Sequence, residues 1–160
     1  MKNKTTLNII FYISIFALGS AYFIEYILGY KPCNLCLIER FPYFFSIIII
    51  LLGLFFNQFE KFIFIFLCII FVSATILSLY HVGIEQGFFK ESLVCFSNNE
   101  INILNKEDLL KEFQKTVVSC KDVEFTIFGL SLAAINPITS FVLSVITFKL
   151  FLNYEKNRQK

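Results

Sequence analysis

The chain has 160 residues, of which 57% are hydrophobic and 16% are charged, with 22 Phe and no Trp. This composition is far more apolar than that of a soluble domain of similar length, and it predicts a membrane protein. The net charge of +2 is spread along the chain instead of being gathered in a basic stripe, which excludes an obvious nucleic-acid surface.

Four apolar runs have the length of membrane-spanning helices, since the bilayer core requires about 20 residues. The second run begins near Arg40, which can snorkel to the headgroups. Asn136-Pro137 interrupts the last apolar stretch because proline lacks the amide proton that a helix interior needs, so residues 125–135 are predicted to be an interfacial segment. We therefore predict an all-α membrane protein, a bundle of four transmembrane helices in a single domain, with spans at residues 7–28, 37–56, 62–80 and 137–152.

The connections between these spans differ in size. Residues 57–61 are predicted to form a tight turn, whereas residues 81–124 are predicted to form a long polar loop. Inside this loop, Asn105 followed by Asp108 resembles a capped helix start, and apolar residues then recur at helical spacing up to Val117. The loop is therefore predicted to carry a short amphipathic helix that can lie on the membrane surface.

Lysine and arginine indicate the orientation of the bundle. Lys2 and Lys4 stand at one end of the chain and three basic residues stand among the last five, which predicts that both termini are cytoplasmic. Acidic residues outnumber lysines in the loop at 81–124, so we expect it to face the periplasm across a bacterial inner membrane. The N-terminus also resembles a cleavable signal peptide, but its apolar run continues to residue 28, as a spanning helix requires.

On this topology the five cysteines divide into three groups. Cys33 and Cys36 follow the first span, Cys95 and Cys120 lie in the long loop, and Cys68 lies in the middle of the third span as a small buried apolar residue. The first four share an oxidising compartment, where disulfides are favoured. One interpretation is therefore a non-enzymatic membrane scaffold whose outer segments are held by two structural disulfides.

The C-x-x-C spacing of Cys33 and Cys36 favours a redox role instead. The pair precedes the second helix directly, where the helix dipole favours thiolate, and so short a ring adds little stability. Cys95 and Cys120 enclose roughly 25 residues, a loop whose closure is worth about 3 kcal/mol and whose mobility could carry a thiol to the other pair. Zinc bound by all four cysteines is disfavoured, because zinc motifs normally show two short knuckles; we expect no resident metal.

Three further polar residues lie near the outer membrane face. Arg40 is four residues after Cys36 and shares its helix face, so it can stabilise a thiolate or an anionic acceptor, or it can simply anchor the helix. His81 is either an interfacial helix cap or a proton donor. Glu25 lies about two turns before Cys33 and receives no assignment.

The sequence resembles the DsbB family. Residues 31–43 of this chain read KPCNLCLIERFPY and are similar to the PC-x-LC-x-x-x-R-x-P-Y stretch of that family. Further matches are HVGIEQG at 81–87, the two isolated cysteines of the long loop, and FGLSLA at 128–133 followed by Asn136. The similarity covers nearly the whole chain.

This resemblance implies a membrane thiol:quinone oxidoreductase that reoxidises a periplasmic, DsbA-like thioredoxin-fold protein and sends two electrons to ubiquinone or menaquinone. It implies that Cys95 forms the mixed disulfide with that partner and that Cys120 is released toward Cys33. Cys36 is implied to stand beside the quinone.

The resemblance further implies that Arg40 helps to bind the quinone and that His81 lies near the same site. The chain departs from better-known members of the family in having Cys68 and in lacking tryptophan in the long loop. Neither departure touches the four paired cysteines.

Overall fold

A computed structural model of the chain describes residues 2–55, 60–90, 95, 119–121, 126–127 and 129–158. Its elements are α1 (Lys2–Tyr26), α2 (Asn34–Ile38), α3 (Arg40–Phe55), α4 (Glu60–Glu85), β1 (Thr126–Ile127), β2 (Leu130–Ser131) and α5 (Leu132–Arg158). Four helical stretches are long and apolar enough to cross a membrane: Lys4–Tyr26, Asn34–Leu54, Glu60–Glu85 and Leu132–Lys156. The predicted all-α, four-helix membrane bundle is confirmed. The amphipathic helix expected near residues 105–117 lies outside the described residues.

Helix α4 extends beyond residue 80, where the third span was expected to end. Its C-terminus is closed by Gly87, whose φ of 79° belongs to the left-handed region that glycine adopts without strain. The Phe88 amide donates to the Gly83 carbonyl at 2.8 Å, and the Gly87 amide donates to the Ile84 carbonyl at 3.0 Å, which is the Schellman pattern of helix termination. His81 consequently lies in the last turns of the helix and not in the loop.

Helix α5 also begins earlier than the expected span at 137–152. Ser131 caps it, because its hydroxyl accepts a hydrogen bond from the Ala134 amide at 3.1 Å. Pro137 is accommodated inside the helix, where it removes a single backbone donor from the second turn. Within the segment expected to be interfacial, residues 125–135, the structure places a short antiparallel hairpin, with Thr126 opposite Ser131, and the start of α5.

The bundle core lies toward the end of the bundle at which α1 begins and α5 ends. Helix α4 packs along α5, and α3 contacts both α1 and α4. Large side chains are exposed around the outside of the bundle, as a lipid-facing surface allows, and Phe16 and Phe44 are examples. The buried cluster between the helices consists of Leu7, Ile10, Tyr43, Ile50, Ile63, Phe64, Leu67, Phe71, Leu143 and Leu150.

Buried hydroxyls join the helices through hydrogen bonds. Ser46 of α3 donates to Ser14 of α1 at 3.0 Å, and Ser14 donates to the Ile10 carbonyl at 2.9 Å. An ion pair between Lys61 and Glu155 connects the start of α4 to the end of α5. These contacts fix the helices so that the end of α1, the end of α4 and the start of α5 meet at the opposite end of the bundle.

Candidate functional site

The C-x-x-C pair is built into the start of α2. Cys33 has extended backbone angles and is the N-cap of this helix, and its Sγ accepts a hydrogen bond from the Cys36 amide at 3.3 Å. The Sγ atoms of Cys33 and Cys36 lie 2.9 Å apart, so the two thiols also form a hydrogen bond with each other. The local helix start thus brings both sulfur atoms together, as the spacing predicts.

The thiol of Cys33 is strongly acidified. The hydrogen bond with the Cys36 thiol lowers its pKa most, and the contacts with His81 and the Cys36 amide lower it further. Burial acts in the opposite direction, but the balance places the pKa at about 4. Cys33 is therefore a thiolate at neutral pH and a good leaving group in thiol-disulfide exchange.

The second cysteine pair lies in the same buried cluster. Cys33, Cys95 and Cys120 are 5%, 2% and 3% exposed and pack together with Leu35 and Ile84. Cys120 forms hydrogen bonds with the Cys95 thiol and the Leu35 amide. Burial and the Cys95 contact raise the pKa of Cys120, which is opposite to the shift at Cys33.

Cys68 stands apart from this cluster. It lies on α4 thirteen residues before His81, which corresponds to about 20 Å along a helix. It is partly exposed on a helix that spans the membrane. Four of the five cysteines are therefore assembled at one end of the bundle, and the fifth is not.

His81 links Cys33 to an acidic residue in the interior of the site. Its Nε2 lies 3.5 Å from the Cys33 Sγ, and its Nδ1 lies 2.9 Å from Glu39 Oε1. Because a carboxylate only accepts hydrogen bonds, Nδ1 carries a proton and the ring orientation is fixed. Sequence reasoning did not assign Glu39. The signal was available, since an acidic residue within a membrane-spanning segment indicates a functional site.

The hydrogen-bond chain continues from Glu39 to α5. The Asn136 side-chain amide donates to Glu39 Oε2 at 2.7 Å, and the Tyr43 hydroxyl donates to Asn136 Oδ1 at 2.5 Å. Tyr43 also lies 3.1 Å from Thr139 and 3.0 Å from Ser140. Both oxygens of the buried Glu39 carboxylate are thus hydrogen-bonded, as burial of a charged group requires.

Arg40 and Glu25 form an ion pair between α3 and α1, in which Arg40 Nη1 contacts Glu25 Oε2 at 2.5 Å. The guanidinium also lies 5.0 Å from the centre of the Tyr22 ring, a cation–π distance. Glu25, which the sequence left unassigned, is therefore the partner that holds Arg40 in place. Arg40 faces the interior of the site and is not simply a lipid anchor.

A cavity of about 360 Å³ joins these groups. Cys33, Cys36, His81 and Cys120 line it together with Arg40. Its other walls are mainly apolar, and the side chains of α1 and α5 that form them include Phe16, Ala17, Ile24, Leu132, Ala133 and Ile135. An apolar cavity with a few convergent polar groups is the usual form of a small-molecule site.

These features define a multi-pass membrane protein in which two cysteine pairs, one of which contains the acidified Cys33 thiol, meet beside an apolar cavity. A family model described as "Disulfide bond formation protein DsbB" matches residues 3–150. The chain belongs to the DsbB family and is accordingly an oxidoreductase of disulfide-bond formation.

An uncharacterized protein of Rickettsia prowazekii (strain Madrid E) is 36% identical to the chain over 149 residues. The match covers 92% of this chain and 86% of the Rickettsia protein. No solved structure matches the chain.

The contact between Glu39 and His81 leads to a prediction about Cys33. Glu39→Gln removes the anion that favours a protonated His81, so the Cys33 thiolate loses a positive neighbour and its pKa rises from about 4 by about one pH unit. The ultraviolet absorbance of the thiolate, titrated in the reduced protein and corrected with Cys33→Ser, measures this pKa.

Glu85→Gln is the matched control for that titration. Glu85 lies one turn beyond His81 on α4, but its carboxylate accepts a hydrogen bond from Ser131. The control should titrate like the wild type. An unchanged Cys33 pKa in Glu39→Gln would show that Glu39 does not act through His81.

Proposed function

We propose that the chain is a membrane thiol:quinone oxidoreductase that reoxidises a DsbA-like thioredoxin-fold partner and passes two electrons to ubiquinone or menaquinone. The observation that carries this proposal is the cluster formed by the buried Cys33, Cys95 and Cys120 with the half-buried Cys36, beside an apolar cavity. Thiol-disulfide exchange requires direct approach of sulfur atoms, and the cluster supplies it.

The two pairs are suited to different steps. A partner thiolate attacks the Cys95–Cys120 disulfide at Cys95, which forms a mixed disulfide and releases Cys120 as a thiolate. Cys120, released as a thiolate, attacks Cys33 and opens the Cys33–Cys36 disulfide. The second partner thiol then resolves the mixed disulfide, and Cys95 displaces Cys33. The low pKa of Cys33 favours its departure.

The cavity fits a quinone because its apolar walls suit an isoprenoid-substituted ring and its polar end suits the ring oxygens. Arg40, held by Glu25, and His81 would bind at that polar end, with Cys36 beside them. A bound quinone supplies a two-electron, two-proton acceptor that returns the Cys33/Cys36 dithiol to the disulfide. His81 can hold one thiol proton at Nε2, and the Glu39 carboxylate stabilises the resulting positive ring.

A membrane scaffold with two inert disulfides explains less of the site. A structural bridge needs no acidified sulfur, and it gains nothing from a buried histidine and carboxylate next to Cys33. Burial of such groups costs free energy unless each is paired. In the redox proposal, Cys33 takes part in thiol-disulfide exchange, and the His81–Glu39 pair holds its proton.

We further propose that the protein lies in the bacterial inner membrane with both termini in the cytoplasm. An even number of spans puts the two ends of the chain on the same side, and basic residues flank both of them. The cysteine cluster, at the other end of the bundle, then faces the oxidising periplasm.

Thiol labelling tests this orientation. In spheroplasts treated with a reductant, a membrane-impermeant maleimide applied from outside should modify Cys95 or Cys120 in the Cys68→Ala background. Lys156 lies near the C-terminus, which the proposal puts in the cytoplasm. A cysteine introduced there by Lys156→Cys should react only after the membrane is permeabilised. The reverse pattern would contradict the proposed orientation and the periplasmic partner with it.

Arg40→Lys tests the quinone-binding part of the proposal. The purified protein should oxidise a reduced thioredoxin-fold protein in a quinone-dependent manner, and Cys36→Ser should abolish this turnover. Lysine keeps the positive charge of Arg40 but loses the planar fork that contacts Glu25. We expect an apparent KM for quinone raised about tenfold, equivalent to about 1.4 kcal/mol, with exchange between the partner and Cys95/Cys120 largely preserved.

Cys68→Ala is the control and should keep the wild-type KM, because Cys68 lies far from the cavity along α4. A wild-type apparent KM for quinone in Arg40→Lys would show that Arg40 has a purely structural role. Absence of quinone-dependent thiol loss in the wild type would favour the scaffold over the enzyme.

A further inference from the structure

The reduced C-x-x-C pair and His81 form a compact group of potential metal ligands. The Sγ atoms of Cys33 and Cys36 and a ring nitrogen of His81 all lie within 4.8 Å of one another. We propose that these three side chains bind a thiophilic d¹⁰ cation, Zn²⁺ being the type, and that they do so only when the pair is a dithiol. The bound cation would inhibit electron transfer to quinone and would not be a permanent cofactor of the protein.

The distances are close to those of a tetrahedral zinc site. With Zn–S near 2.3 Å and Zn–N near 2.0 Å, a sulfur and a nitrogen ligand stand roughly 3.5 Å apart and two sulfur ligands roughly 3.7 Å apart. Cys33 Sγ and His81 Nε2 already lie 3.5 Å apart. The two sulfur atoms, 2.9 Å apart, must separate by roughly 0.8 Å, which side-chain rotation of Cys36 can provide.

Glu39 prepares His81 for this role. Zinc-binding histidines commonly donate the second ring N–H to a carboxylate, which fixes the tautomer and directs the free nitrogen lone pair at the metal. His81 has this arrangement, with Nδ1 at Glu39 Oε1 and Nε2 toward Cys33. Asn136 holds the other carboxylate oxygen. Glu39 is thus a positioning residue for the proposed site.

Charge and redox state determine when the site exists. Binding forms two Zn–S bonds and one Zn–N bond, releases to solvent the protons held by the Cys36 thiol and by the Cys33–His81 pair, and transfers no electrons. Two thiolates neutralise the dication, which permits burial. A Cys33–Cys36 disulfide offers no thiolate and cannot bind.

All three proposed ligands line the cavity. A bound cation would therefore prevent re-formation of the disulfide and obstruct the polar end of the cavity. Metal binding itself does not depend on the proposed function. Only its consequence, inhibition of electron transfer to quinone, rests on that function.

Metal titration of the full-length protein in detergent micelles tests the site. The protein is reduced, freed of reductant under inert gas, and titrated with Zn²⁺ in competition with a chromophoric chelator. The Cys95→Ser/Cys120→Ser background removes the other pair. We expect one Zn²⁺ per reduced chain, about 100-fold weaker binding in His81→Ala and about tenfold weaker binding in Glu39→Gln, and no binding to the oxidised form.

Cd²⁺ supplies an independent readout, because its thiolate charge-transfer band reports the number of sulfur ligands. The band should fall by half in Cys36→Ser and stay unchanged in Cys68→Ala. Equal Zn²⁺ affinity in wild type and His81→Ala, binding by the oxidised form, or loss of binding in the Cys95→Ser/Cys120→Ser background would each overturn the three-ligand assignment.

A final arm separates this proposal from the proposed function. Zn²⁺ should slow oxidation of the Cys33/Cys36 dithiol by a diazenedicarboxamide oxidant, an assay that contains neither quinone nor partner protein. Protection in this assay without quinone turnover would support the metal site and reject the enzyme function. Quinone turnover without protection by Zn²⁺ would support the enzyme function and reject the metal site.

Discussion

The candidate site depends on the position of one imidazole. His81 contacts the Cys33 sulfur through one ring nitrogen and Glu39 through the other, and it is almost fully buried. The Schellman termination of α4 at Gly87 keeps His81 within the helix, and the cap at Ser131 starts α5 where Asn136 can reach Glu39. Helix ends thus determine the chemistry of the site.

Burial in the membrane makes unpaired charged groups in this network costly in free energy. A carboxylate, a histidine and an arginine near the hydrocarbon region are tolerated only when each is paired. Glu39 is bound by His81 and Asn136, and Arg40 is bound by Glu25. Removal of one partner leaves a buried charge without compensation, so each of these contacts stabilises the groups that it joins. The apolar cluster and the serine contacts of the remaining bundle hold the helices that carry them.

Much of the fold was predictable from the sequence because apolar runs of bilayer length leave little choice of structure. The four spans and the separation of Cys68 from the other cysteines follow from that. The helix bounds were less accurate: Gly87 and Ser131 act through local hydrogen bonds, which extended α4 beyond residue 80 and started α5 before Pro137. Hydropathy does not register such bonds.

The site was predictable in part. Spacing alone marked Cys33, Cys36 and Arg40, and the resemblance supplied a use for Cys95, Cys120 and His81. The contacts of Glu39 and Glu25 join residues far apart in the chain, so no local pattern specifies them.

The central claim is that the two cysteine pairs form one exchange unit through Cys33 and Cys120. The most direct measurement is mild oxidation of the Cys36→Ser/Cys95→Ser variant, followed by alkylation and peptide mass spectrometry. The account predicts a disulfide between Cys33 and Cys120, with Cys68 alkylated. Recovery of Cys33 and Cys120 as separately alkylated thiols would contradict it.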